Sequence, residues 1–206
     1  MTFVLSQFSA KAFAILAAAT TCPATPVTPS IRIDAVSQPL QISEWSPAPG
    51  SSFKYGSADF KMQYMSIDVN FLTKPVQETG QTCLYVDNVV AHFQMGPVVY
   101  VDEKYPPGSC MYDSIRKYFQ GLLTQLQITF NNYQATFGTI ALEPLRYAPP
   151  PAPLNAGDVA ARENAIKASL DTSVRRARDE MYNAVKQRYE QIEDQRARTI
   201  DISDCK

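Results

Sequence analysis

One histidine and four cysteines are the side chains whose types most readily suggest chemistry: His92, and Cys22, Cys83, Cys110 and Cys205. A catalytic zinc usually takes three protein ligands rich in histidine. With His92 alone and no clustered cysteines, one chain cannot assemble a histidine-based zinc site. No CxxC pair occurs, so neither a zinc knuckle nor a thioredoxin-type redox site is supported. A Cys–His dyad needs a free thiol, and the even cysteine count argues against one. The sequence holds no G-x-S-x-G elbow, no phosphate-binding glycine loop and no dinucleotide fingerprint. Asp102 and Glu103 are adjacent in a loop pattern and carry no specific signal, and a glycosidase pair would have to be assembled by the fold. His92 falls late in a strand pattern beside Phe93, where a lone histidine is more often a satisfied structural residue than a catalyst. No cofactor and no metal is implied.

The bulk composition bounds the class. The chain has 206 residues, 45% of them hydrophobic and 19% charged, which suits a globular protein with a core of its own. A net charge of −1 gives no electrostatic reason to expect nucleic acid or an anionic membrane as partner. Residues 1–19 read as a signal peptide. Lys11 precedes an apolar run from Ala12 to Ala19, and Ala17 and Ala19 are small residues at the spacing a signal peptidase needs. The run is shorter than the roughly 20 apolar residues a membrane span takes. The alternatives are a buried N-terminal helix and a lipoprotein signal ending at Cys22, which Thr21 and Ala19 fit poorly. After cleavage the mature chain keeps all four cysteines, and an even count in an exported protein suggests disulfides. Three pairings are open, beside the alternative of free buried thiols.

The elements follow from periodicity. Residues 20–30 form a proline-rich spacer, stiff and extended. Ile31–Val36 alternates as a short strand, and 46–52 is a turn region. Phe60–Leu72 alternates as one long strand with room for a bulge, followed by a loop that holds Pro75 and Gly80. Cys83–Phe93 and Pro97–Asp102, separated by Gln94-Met95-Gly96, have the pattern of a β-hairpin. From Cys110 the period changes: Ile115, Phe119, Leu122, Leu126, Phe130, Tyr133 and Phe137 make the apolar stripe of a long helix. Ser109 suits its N-cap, Asp113 its first turn, and Pro144 ends it at the latest.

The proline-rich connector 144–154 reads as a rigid spacer rather than as a ligand for a proline-binding domain. Residues 155–206 then form a charged C-terminal helix. Its wet face carries Glu163/Lys167, Asp171/Arg175, Arg175/Asp179, Arg176/Glu180 and Lys186/Glu190 at helical pair spacing. Its narrow stripe of Leu170, Val174, Ala177, Met181 and Val185 favours packing on the first helix over a self-associating coiled coil. The expected fold class is therefore α+β: a small antiparallel sheet with a β-hairpin packed on a long helix, followed by a second long C-terminal helix. Residues 31–143 form the α+β domain.

The stretch Tyr105-Pro106-Pro107-Gly108-Ser109-Cys110, with Tyr112 after it and a Val/Tyr-rich segment from Cys83 before it, resembles a family of exported bacterial proteins of unknown function that look like small zinc metallopeptidases. The resemblance spans residues 80–135. It implies a Cys83–Cys110 disulfide, leaving Cys22 with Cys205 to tie the ends together. It also implies a His-Glu-x-x-His motif on the helix, where this chain reads Tyr118-Phe119-Gln120-Gly121-Leu122. Zinc hydrolysis needs two imidazoles one turn apart and a carboxylate, and Tyr118, Phe119 and Leu122 supply none of them. The resemblance thus implies a degenerate metallopeptidase-like scaffold.

The expected function is that of an exported, non-catalytic cell-envelope protein, periplasmic or secreted. It would act by protein–protein interaction or structural assembly, with an envelope protein or with a second copy through the C-terminal helix. The alternatives are an exported hydrolase of another class and a ligand-binding module with an aromatic pocket.

Overall fold

A computed structural model describes residues 22–23, 28–46, 55–148, 150–196, 200 and 205. The expected signal peptide, the turn beyond Ser46 and part of the spacer lie outside the described residues. Strands β1 (Ser30–Ser37), β2 (Gln41–Trp45), β3 (Gly56–Pro75) and β4 (Thr82–Asp102) precede the helices α1 (Cys110–Ala141), α2 (Glu143–Arg146) and α3 (Val159–Arg196).

The sheet differs from expectation in a way that changes everything attached to it. Residues 82–102 do not fold back at Gln94–Gly96 but run as one strand of 21 residues. The hairpin lies one element earlier: β3 and β4 pair antiparallel along their length, and the chain turns between Val76 and Gln81. There Gly80 takes φ +67°, a conformation that costs glycine nothing. A glycine followed by a proline resembles a turn locally, but a broken partner strand also accommodates it. β1 pairs with β4 as far as Met95, and β2 resumes at Val98. Gly96 and Pro97 occupy the gap between the two, so a residue without an N–H stands where neither strand needs a partner.

The antiparallel sheet of the sequence reading is corrected to a mixed one. β1 and β2 lie end to end on one side of β4 and run parallel to it, while β3 runs antiparallel on the other side. Trp45 closes β2 beside Asp102 and Gly56 opens β3 beside Val101. β4 therefore sits between two strands of opposite direction. Residues of β3 and β4 shift register at Met65 and again after Asn70, so β3 carries the bulge its long alternation allows.

Ser109 caps α1, its side chain accepting from the Tyr112 amide at 3.2 Å. The stripe of α1 buries Ile115, Phe119, Leu122, Leu126, Phe130 and Phe137 against the sheet. Phe137 meets Phe93 edge-on at 5.7 Å, and Phe130 meets Phe60 at 6.3 Å. α3 packs beside α1, with Val174, Ala177 and Met181 fully buried in the same core. It reaches the sheet as well: the Ala58 amide donates to the Tyr189 hydroxyl at 3.3 Å. The other sheet face, with Arg32, Asp34, Asp68 and His92, is open to water in the manner of a two-layer fold. Of the paired charges expected along α3, Asp171 and Arg175 meet at 2.8 Å. Arg176 pairs with Glu143 of α2 instead of Glu180, because α2 brings a carboxylate across from outside the helix.

The disulfides follow from the strand correction. The structure joins Cys22 to Cys83 and Cys110 to Cys205, not Cys83 to Cys110. A hairpin over 83–102 would return the chain so that Cys110 came back beside Cys83. A continuous strand carries it away instead, by on the order of 60 Å at about 3.3 Å per residue. Parallel pairing of β1 with β4 begins at Ser30 and Asn88, and Cys22 bonds Cys83 upstream of that pair. α3 runs back along α1, which returns the end of the chain to the first residue of α1 and brings Cys205 to Cys110.

Candidate functional site: an apolar cleft under the proline-rich connector

The cleft forms where three segments far apart in sequence converge. The first is the start of β4, contributing Leu84, Tyr85 and Val86. The second is the connector, tied down at its far end by paired amides: Thr82 donates to the Leu154 carbonyl at 2.8 Å, and Leu154 donates back at 2.9 Å. Its Pro150 and Pro151 form a stiff part of the wall, because proline fixes φ and forms no ladder of its own. The third is the first half of α3, where Arg162, Ala165, Ile166 and Ser169 share a face at helical spacing. Together they enclose about 650 Å³, within the range of small-molecule sites.

Several contacts hold the walls. The Cys22–Cys83 bond anchors the segment before β1 next to Leu84, with Cys83 fully buried. The Tyr85 hydroxyl donates to the Pro23 carbonyl at 2.7 Å. Burial pushes this hydroxyl above the ordinary tyrosine value, so it stays a neutral donor. The Glu143–Arg176 ion pair fixes the near end of the connector to α3. The lining is therefore mostly apolar, with Arg162 its only charged residue among those described.

The residues singled out by sequence lie elsewhere. Phe119 and Leu122 are 2% exposed and belong to the core between α1 and the sheet. Tyr118 packs against that core, with its ring edge-on to Phe119 at 5.1 Å. The positions matched to the zinc motif are thus occupied by packing. His92 sits on the wet sheet face between two acids: Nε2 lies 2.9 Å from Asp68 on β3, and Nδ1 lies 3.3 Å from Asp34 on β1. The acids face opposite nitrogens, so they do not converge on one point with the imidazole. Among the described residues no group of three or more His, Cys, Asp or Glu is placed to hold a metal ion. Also among the described residues, no helix is long and apolar enough to cross a membrane.

Sequence reasoning missed the cleft. Its proline wall was legible as a spacer, but nothing local marks Leu84, Leu145 and Ile166 as neighbours. No protein-family model matches the chain, and no curated protein or solved structure matches it either.

Proposed function

We propose that this protein is an exported, non-catalytic binding protein of the cell envelope or extracellular space. The observation that carries the reading is the apolar cleft of about 650 Å³ walled by the connector. Its Pro, Leu, Ile and Val side chains can desolvate an apolar ligand, with Tyr85, Arg162 and Ser169 as its polar groups. Two disulfides suit an oxidising compartment outside the cytosol. The core positions of Phe119 and Leu122 support leaving zinc-peptidase chemistry out of the reading, whether or not the scaffold shares that ancestry. Self-association through the last helix is less favoured, because Leu170, Val174, Ala177 and Met181 are consumed inside the fold.

The test uses the neutral apolar dye Nile red with the full, oxidised chain. Saturable binding of one dye per chain is expected, lost in Ala165→Trp, which fills the cleft from an exposed helix position. Thermal melts of both proteins check that the variant is folded. Dye binding that is absent, or equal in a folded Ala165→Trp variant, sinks the reading.

A further inference from the structure

We infer that the cleft takes a long-chain fatty acid, its hydrocarbon chain under the connector and its carboxylate on Arg162. This rests on the binding reading above and adds the chemistry of the ligand. Leu84, Val86, Leu145, Leu154 and Ile166 make a surface that only an apolar body can cover without stranding polar groups. Nothing charged lies among them, so a ligand with a second charge would bury it unpaired. The Tyr85 hydroxyl is already engaged with Pro23 and has no donor to offer.

Among the described lining residues the one charge is positive. Arg162 is exposed and lines the cleft with no carboxylate partner among the described residues. Further along the same helix Arg175, Arg176 and Arg178 each meet an acid. A guanidinium fork left open beside an apolar cleft matches a carboxylate in bidentate geometry, and it repels a cationic head. Ser169, two turns further along the same face, adds a hydroxyl at the site. One apolar body with one anionic end is what this lining accommodates.

The experiment displaces Nile red from the full, oxidised protein with oleate below its micellar concentration, with oleyl alcohol, and with anionic phospholipid vesicles. Oleate is expected to bind about tenfold more tightly than the alcohol, and Arg162→Gln to bring that ratio to about one. Arg162→Lys, which keeps the charge and loses the fork, should give an intermediate ratio. Equal binding of acid and alcohol by the wild type, or an unchanged ratio in Arg162→Gln, overturns the fatty-acid assignment and leaves the binding reading standing. Displacement by vesicles but not by monomeric oleate also overturns it. Failure of Nile red itself to bind removes both.

Discussion

The Tyr64 hydroxyl on β3 donates to the carboxylate of Asp171 on α3, and the Arg175 guanidinium lies over the Tyr64 ring at 4.4 Å from its centre. Arg175 Nε also reaches Asp171 at 2.8 Å, so one carboxylate serves both groups. These contacts join residues 107 apart in sequence and pin the last helix to the bulged half of the hairpin. Burial pushes the Tyr64 hydroxyl well above its ordinary value, and its bond to Asp171 adds to the effect. Burial works against ionisation of Asp171, but the bonds from Arg175 and Tyr64 outweigh it and hold the carboxyl below its usual value.

Tyr64→Phe should therefore lower stability by about 1–2 kcal/mol, the range for a hydrogen bond to a charged group that keeps a second partner. Urea unfolding of Tyr64→Phe, Asp171→Asn and the double variant measures the coupling. A coupling indistinguishable from zero would show that the helix is held by packing alone. By contrast, His92→Gln should cost less than about 1 kcal/mol, because Asp34 and Asp68 are 50% and 70% exposed and water screens them.

Acid should weaken the fold at the end of β4. Asp102 ends β4 with its side chain 4% exposed and bonds Lys104 at 2.7 Å. Burial pushes its carboxyl up, but the Lys104 side chain, backbone amide and charge together pull it below the ordinary value. A carboxyl depressed in the folded state contributes stability that is fully present above its unfolded value, about 3.9, and is lost as pH falls through the folded one. The wild type should exceed Asp102→Asn in urea midpoint by a constant margin at pH 6 and pH 5. That margin should shrink on acidification below about pH 4. A margin independent of pH down to 2 would remove the ion pair from the account.

Local signals were enough to read α1 but not β4. Ile115, Phe119, Leu122, Leu126, Phe130 and Phe137 are buried as their spacing demands, since a helix satisfies its backbone within itself. Ser109 caps it for the same local reason. A strand instead takes its partners from elsewhere in the chain. Gly96-Pro97 was compatible both with a turn and with a gap between β1 and β2, and only the non-local pairing decided between them. The Cys83–Cys110 pairing came from the family resemblance, and the structure replaces it with Cys22–Cys83 and Cys110–Cys205. The cleft was illegible for a related reason, because residues 84–86, 144–154 and 162–169 meet only after the sheet and both long helices are in place.

The disulfide correction can be checked directly. Proteolysis without reduction should release a linked peptide pair containing Cys22 and Cys83 and another containing Cys110 and Cys205. The closed segments, 61 and 95 residues apart at their ends, follow one another along the chain without overlap. In the chain-entropy model each bond contributes about 4–5 kcal/mol, and opening both should lower the melting temperature more than opening either. A peptide linking Cys83 to Cys110 would mean that residues 82–102 turn back after all.

Phe119 and Leu122 distinguish a filled core from a site. Both are 2% exposed, and Phe119 packs where β3 begins: a Cβ added at Gly56 would lie 3.2 Å from its ring and 2.2 Å from the Tyr100 carbonyl oxygen. That approach of strand to strand and ring leaves no room for a ligand beside Gly56. Phe119→Ala should thus cost about 3–5 kcal/mol and Leu122→Ala about 2–5 kcal/mol, through lost burial and the cavity left behind. Gly56→Ala should also destabilise, because the Tyr100 carbonyl is backbone and cannot swing aside. Denaturant midpoints for the three variants measure this. A loss below about 1 kcal/mol for both side-chain truncations would indicate open space at these positions instead of core packing.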